Sequence, residues 1–270
     1  MKKSIATVKL LLITIHTLSV YLIYFLGLMA VSVLRLNFES WRNLAMKTWA
    51  KGVALILRMN IHITGTPPAP PFFLVSNHLS YIDIVVLNSV LKTTFIAKSE
   101  VKKWPVIGFM AKTMGVIFID RARIRDVTRV NKVVSEQLNE RQGVILFPEG
   151  KTSSGVSVLP FRSPLLKHPA TENIDVSYAA LSYSTGSSDE PAYKSVNWWE
   201  DTPFYKHIFK MAMNKRITAN IYFGKNTVRN PDRKLLANKL HEEVSKIFKP
   251  MVSEKEINHE SNNRSKQGIE

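Results

Sequence analysis

A mixed, largely parallel α/β sheet flanked by helices, with a membrane helix or helical hairpin in front of it, is the fold class this sequence predicts. Three observations lead there. Short apolar runs of strand character recur between stretches of helical periodicity. A proline-rich run separates them from what precedes. The chain also opens on a long apolar segment without charge.

That segment comes first in the chain. Between Lys9 and Arg35 lie 25 residues with no Lys, Arg, Asp or Glu. As a helix they reach roughly 37 Å, enough to cross a hydrocarbon core of about 30 Å. The apolar region of a cleaved signal peptide is shorter, about 7–15 residues. A single span is the default reading, yet basic residues flank both ends, so the positive-inside rule gives no orientation. Tyr21, Tyr24 and Phe25 also cluster in mid-segment beside Gly27, away from where an interfacial belt would sit. Two short helices dipping into one leaflet would explain both facts.

Residues 40–58 place Leu44, Trp49, Val53 and Leu57 near helical spacing with basic residues between them. They predict an amphipathic helix on anionic lipid or on the domain that follows. The run from Thr66 to Pro71 cannot continue a helix and reads as a linker. Residues 1–65 therefore form an N-terminal anchoring segment, separable from a domain over 66–250, and 251–270 form a disordered polar tail.

Inside the domain FFLVSN, TTFIAKS, GVIFID and GVILFPEG are strand-like, and IDVSYAALSY and RITANIYFGK read as later strands. Between the third and fourth, Val127, Val130, Val134 and Leu138 mark one face of a helix, with Gly143 as its C-cap. Strands alternating with helices give a mixed, largely parallel sheet.

The 37 Lys+Arg against 21 Asp+Glu leave a formal charge of +16, so the partners are anionic. The apolar segment and the lack of a nucleic-acid motif point to anionic membrane lipid and away from nucleic acid. The chain has no cysteine, which excludes disulfides and a thiolate nucleophile. Its seven His include no pair at zinc-ligand spacing, so no metal site is expected.

Three elements can carry chemistry. In SNHLSYIDIVVL, His78 and Asp83 lie five apart. On one helix they would diverge by about 140°, so they meet only if His78 is in a loop and the helix starts near Ser80. The pair would then be a general base held by a carboxylate. The plainer reading is Ser80 as N-cap with Asp83 as the far half of a capping box. GVIFIDR ends a strand on Asp120 and Arg121, a fork suited to phosphate or an ordinary basic surface. ILFPEGKTSSG breaks at Pro148-Glu149-Gly150, then offers Thr152, Ser153 and Ser154, or is a plain strand-to-loop turn.

In this order the three blocks resemble the glycerophospholipid acyltransferases. That family carries N-H-x-x-x-x-D, F-x-D-R and F-P-E-G, here Asn77-His78 to Asp83, Phe118 to Arg121, and Phe147 to Gly150. VLPFRSPLL, Trp198-Trp199 and the YFG ending at Gly224 also look like the family's continuation, and the likeness covers roughly residues 70–225. The resemblance implies transfer of a fatty acyl group from acyl-CoA or acyl-carrier protein to the sn-2 hydroxyl of a lysophospholipid, lysophosphatidic acid foremost. His78 would be the base, Asp83 its orienter, and Arg121 the ligand of the acceptor's phosphate. Glu149, Gly150, Lys151 and Thr152 would position the acceptor. It implies no cofactor beyond the acyl donor, and a cytoplasmic-membrane enzyme working at the cytoplasmic face.

Two positions depart from the family. Lys151-Thr152-Ser153 stands where relatives often have Thr-Arg-Ser, so an arginine is missing and Lys151 is only a point charge. Tyr178 stands where relatives usually place proline. Both bear on the acceptor's identity, and a lyso-amino-acid lipid is the alternative. A non-catalytic basic membrane-binding protein is the rival from outside enzymes.

Overall fold

The computed structural model describes residues 2–120 and 124–257. The elements in chain order are α1 (Lys2–Val33), α2 (Phe38–Ile56), β1 (Met59–Thr64), β2 (Phe73–Ser76), α3 (Ile82–Val90), β3 (Thr93–Lys98), α4 (Ile107–Thr113) and β4 (Ile117–Ile119). Then follow α5 (Ile124–Gln137), β5 (Gly143–Leu146), α6 (Lys167–Thr171), β6 (Val176–Thr185), α7 (Ala192–Ser195), α8 (Phe204–Ala212), β7 (Ile217–Phe223) and α9 (Arg233–Ile247). The strands form one sheet in the order β1-β7-β6-β2-β5-β3-β4. Every neighbouring pair is parallel except β6 and β7. This is the mixed, largely parallel sheet expected.

Alternation along the strands splits the core into two layers. Leu74, Ile145, Leu181 and Ile221 point into one cluster with α2, α3 and α8. Phe73, Val75, Val144, Leu146 and Tyr178 point into the other, with α5 and α9.

Several local expectations need correction. MNIHIT, assigned to the N-terminal segment, is β1 and pairs with β7 from Met59↔Ile217 to Thr64↔Tyr222. The helix after β4 ends at Gln137, because Asn139 and Gln142 close a tight turn. Gly143 is thus no C-cap. It opens β5, and a Cβ there would stand 2.3 Å from the Phe72 ring. The tail begins later than residue 251: Met251 N–H donates to Gly155 O (2.9 Å), its sulfur accepts from Tyr183 N–H (3.4 Å), and Val252 is buried. Residues 258–270 lie outside the described residues.

The apolar segment is one unbroken helix, α1, not two short ones, and the hairpin fastened to the domain is made by α1 with α2. Trp41 Nε1 donates to Tyr24 O (3.0 Å) and Trp49 Nε1 to Thr17 Oγ1 (3.1 Å), so two indoles staple α2 to α1. Lys9, just before the uncharged run, is buried and gives its ammonium to Asn214 O (2.6 Å), at the end of α8. Further along, the Tyr21 hydroxyl meets Thr113 Oγ1 of α4 (2.6 Å), and the Phe25 ring lies 6.4 Å from that of Phe109. At the N-terminal half of α2, Arg42 donates to Gln142 Oε1 (2.5 Å) and Asn43 to Arg141 O (3.2 Å). Among the described residues α1 is the helix long and apolar enough to cross a membrane, yet it still touches the domain at Phe25. The opposite face of α1, including Leu11, Leu18, Leu22, Leu26 and Met29, is bare.

Candidate active site

The site lies at the carboxyl ends of the parallel strands, where open α/β sheets place their ligands. β2 stops at Ser76 and delivers Asn77 and His78 to a loop. The Asn77 amide pairs with both backbone groups of Leu181 on β6, accepting at 2.7 Å and donating at 3.0 Å, which pins this loop to the sheet.

The helix after it begins at Ile82, with no side-chain cap. The Ser80 hydroxyl is buried without a partner among the described residues, so it does not cap. Asp83 performs only the returning half of a capping box, and does more besides. Its Oδ2 accepts from Leu79 N–H (2.8 Å) and Ser80 N–H (3.1 Å) and takes His78 Nδ1 at 2.8 Å. Its Oδ1 accepts from the Tyr183 hydroxyl at 2.6 Å. β6 pairs Ala179 with Ser76, then runs on past the end of β2 and carries Tyr183 over the start of α3. Burial, reinforced by the Asp83 charge, holds the Tyr183 phenol well above its ordinary value, so it stays a donor. The carboxylate is wholly buried and fully engaged. With Nδ1–H turned to Asp83, the lone pair of His78 lies on Nε2. The imidazole is partly exposed and stacks on Phe147, centroids 4.1 Å apart and planes at 13°.

The block after β5 closes the other side. Gly150 has φ +76°, a conformation natural to glycine, and Ser153 N–H returns to His78 O (2.9 Å). Glu149 is buried beneath, its carboxyl oxygens near the His78 and Leu159 N–H groups but in well-formed hydrogen bonds with neither. Burial, helped by the Asp83 charge, pushes its carboxyl up to about 9; the His78 and Leu159 N–H groups and Lys151 oppose this too weakly to prevail. Glu149 is therefore a neutral acid at pH 7. The unfolded chain releases that proton near pH 4.5, whereas the folded one holds it to about 9. The stabilising contribution is full below about pH 4.5 and is lost as pH rises to about 9. The melting temperature of wild type should therefore fall across this window more steeply than that of Glu149→Gln. Parallel curves would show Glu149 to be ionised.

Thr152 has a partner within the protein. Its hydroxyl bonds to Trp198 O, while Trp198 N–H donates to Leu79 O (2.9 Å). Asn197 adds a bond to Ser154 O (2.7 Å), and buried His207 bridges Tyr81 and Asn197 O, both at 3.0 Å. Residues 197–198 thus strap the two motif loops together. Tyr178 is on the far face of the sheet, its ring over Gly224 and its hydroxyl on Glu243 (3.1 Å).

An open cavity of about 300 Å³ adjoins Gly150, lined by Lys98, Glu100, Ile119, Asp120, Lys151 and Arg162. Lys151 lines this cavity, and Asp120 at the end of β4 brings the chain to its rim. Arg121 itself lies outside the described residues. Tyr183, Lys98, Arg162 and Trp198 are site neighbours that sequence spacing did not assign.

A sequence profile described as Acyltransferase matches residues 58–172. The chain is 30% identical over 210 residues to a 1-acyl-sn-glycerol-3-phosphate acyltransferase of Neisseria gonorrhoeae, covering 76% of this chain and 81% of that one. The chain belongs to the glycerophospholipid acyltransferase family. It is also 31% identical over 199 residues to a lyso-ornithine lipid O-acyltransferase of Brucella abortus, covering 69% of this chain and 74% of the relative. The crystal structure of a 1-acyl-sn-glycerophosphate acyltransferase from Thermotoga maritima matches at a TM-score of 0.58, 18% identity, and coverage of 90% and 97%. That likeness speaks for the fold alone. In this acyltransferase the first and third family blocks meet where His78 stacks on Phe147, and the second reaches the cavity beside Gly150 with Ile119 and Asp120.

Proposed function

We propose that this acyltransferase moves a fatty acyl group from acyl-CoA or acyl-carrier protein to the sn-2 hydroxyl of lysophosphatidic acid, yielding phosphatidic acid. The observation that carries the reading is the His78–Asp83 contact of 2.8 Å, with Asp83 fixed by three further donors. His78 Nε2 removes the proton of the acceptor hydroxyl as its oxygen attacks the thioester carbonyl. Asp83 stabilises the imidazolium so formed. The tetrahedral intermediate collapses with cleavage of the C–S bond, and the imidazolium returns its proton to the leaving thiolate. Tyr183 is a positioning residue for Asp83. The neutral Glu149 and Gly150 shape the loop beneath the acceptor, and Lys151 and Arg121 supply charge to its phosphate.

The bare apolar face of α1 and the excess of positive charge support a reading in which the enzyme works on an anionic bilayer, at the cytoplasmic face of the cytoplasmic membrane.

A second acceptor class has its own support. The cavity mixes carboxylates (Glu100, Asp120) with cations (Lys98, Lys151, Arg162), and Thr152 is consumed by Trp198. A zwitterionic amino-acid headgroup suits such a lining as well as a phosphate does. The deciding experiment gives purified enzyme labelled acyl-CoA or acyl-carrier protein and a lysolipid panel, read by mass spectrometry. Lysophosphatidic acid should be the preferred acceptor, and Arg121→Ala should damage its use far more than that of a phosphate-free lysolipid. A preference for lyso-ornithine lipid would move the assignment to the second class. No transfer to any lysolipid would overturn both.

A further inference from the structure

From Lys102 to Val106 five consecutive residues are exposed, and Phe109 follows one turn into α4. The loop is apolar at its tip and basic at its base. Val106 is 69% exposed, Phe109 53% and Trp104 36%, while Lys102, Lys103 and Lys112 surround them in solvent. Glu100 is the one acidic residue of this stretch. The tip is a formed turn, with Ile107 N–H donating to Pro105 O (2.6 Å) and Val106 at φ +60°.

Two contacts connect this loop to other surfaces. The Phe109 ring lies 5.8 Å from Tyr21 and 6.4 Å from Phe25, so its apolar surface continues that of α1. On the other side the Trp104 ring lies 5.8 Å from Trp198 and 6.4 Å from Phe204, the strap over the catalytic loops and the start of α8. The same loop starts from Lys98 and Glu100, which line the cavity beside Gly150.

We propose that residues 104–109 form a lipid-inserting wedge, separate from the α1–α2 hairpin, which seats the mouth of the acceptor cavity against the leaflet. The proposal rests on the lipid-acyltransferase reading. Its occupant is an anionic leaflet. Aromatic and aliphatic side chains at the tip suit the headgroup–acyl boundary, and the lysines around them suit anionic headgroups. A lysolipid leaving the bilayer beside Trp104 would meet Lys98 and the cavity within a few residues of chain, without crossing water.

The absence of cysteine makes the test direct. Full-length Val106→Cys and Phe109→Cys are each labelled with an environment-sensitive fluorophore and bound to phosphatidylcholine–phosphatidylglycerol vesicles containing spin-labelled quencher lipid. Leu26→Cys on the bare face of α1 and Ser245→Cys on α9, across the sheet, serve as references. Blue-shifted, quenched emission is expected at positions 106, 109 and 26, and aqueous emission at 245. Quenching at 26 but at neither 106 nor 109 overturns the wedge and leaves membrane docking by α1 standing. No quenching at 26 overturns both. In parallel, Val106→Glu should lose roughly tenfold or more of its transfer to bilayer lysolipid, the equivalent of about 1.4 kcal/mol, and keep its rate on detergent-dispersed lysolipid. Equal rates on both would overturn the proposal even if the probe is quenched.

Discussion

Replacing His78 by alanine is expected to slow acyl transfer by about 10²–10⁴-fold, the usual cost of losing a general base, and to leave the fold intact. Asp83 keeps its bonds from Leu79 N–H, Ser80 N–H and Tyr183 when the imidazole is gone. The Asp83 variants should behave differently from one another. Asp83→Asn can still accept from the two peptide N–H groups and can donate its amide to the Tyr183 oxygen, so it should fold and transfer poorly, having lost the charge opposite the imidazolium. Asp83→Ala leaves three buried donors unpaired, each costing about 1–3 kcal/mol, and should unfold at lower temperature. Tyr183→Phe removes one bond to a charged acceptor, worth about 1.5–3 kcal/mol. It should lower kcat about tenfold or more with KM little changed. Turnover of His78→Ala at the wild-type rate would end the mechanism. A Tyr183→Phe enzyme with normal kcat and reduced stability would make that phenol structural.

Deleting residues 1–36 is expected to destroy the folded state, not merely its hold on lipid. The proline-rich linker suggested that the domain would survive such a cut. The packing says otherwise: Ala6 belongs to the main core, and Val20, Tyr21 and Tyr24 form a cluster with Met46 of α2 and Met114. At about 1.5–3 kcal/mol for each large buried side chain, those three alone contribute on the order of 5–9 kcal/mol. A domain's whole margin is about 5–15 kcal/mol. Circular dichroism melts of the two proteins in the same detergent check this. A truncated chain that melts cooperatively at the full-length temperature would show the hairpin to be dispensable.

What could be read from the sequence divides by distance along the chain. His78 and Asp83 sit within six residues of each other, so loop-and-helix geometry sufficed to bring them together. Tyr183 completes the same carboxylate from 100 residues away, and no local pattern marks it among eight tyrosines. The six strand-like runs inside the domain were legible from their apolar character. β1 was not, because MNIHIT follows directly on a helix, with Arg58 at φ +55° making the turn in place of a glycine or proline. Gly143 was misread because a glycine after a helical pattern looks like a cap, while the Phe72 ring that requires its small size comes from another strand's approach. Thr152 was placed in the site by its motif, but which group its hydroxyl meets depended on Trp198, 46 residues further on.

The anchoring of Lys9 on Asn214 has a consequence for how the protein is made. α1 leaves the ribosome well before the segment that receives it, from Phe204 through Asn214. Synthesis proceeds at about 5–20 residues per second, so the nascent helix spends on the order of ten seconds or more without its partner in the domain. Throughout that interval its apolar face has only a bilayer or a chaperone to cover it. The membrane would thus hold the chain before the catalytic loops exist, and the buried ammonium would lock the hairpin to the finished domain as the final step of assembly.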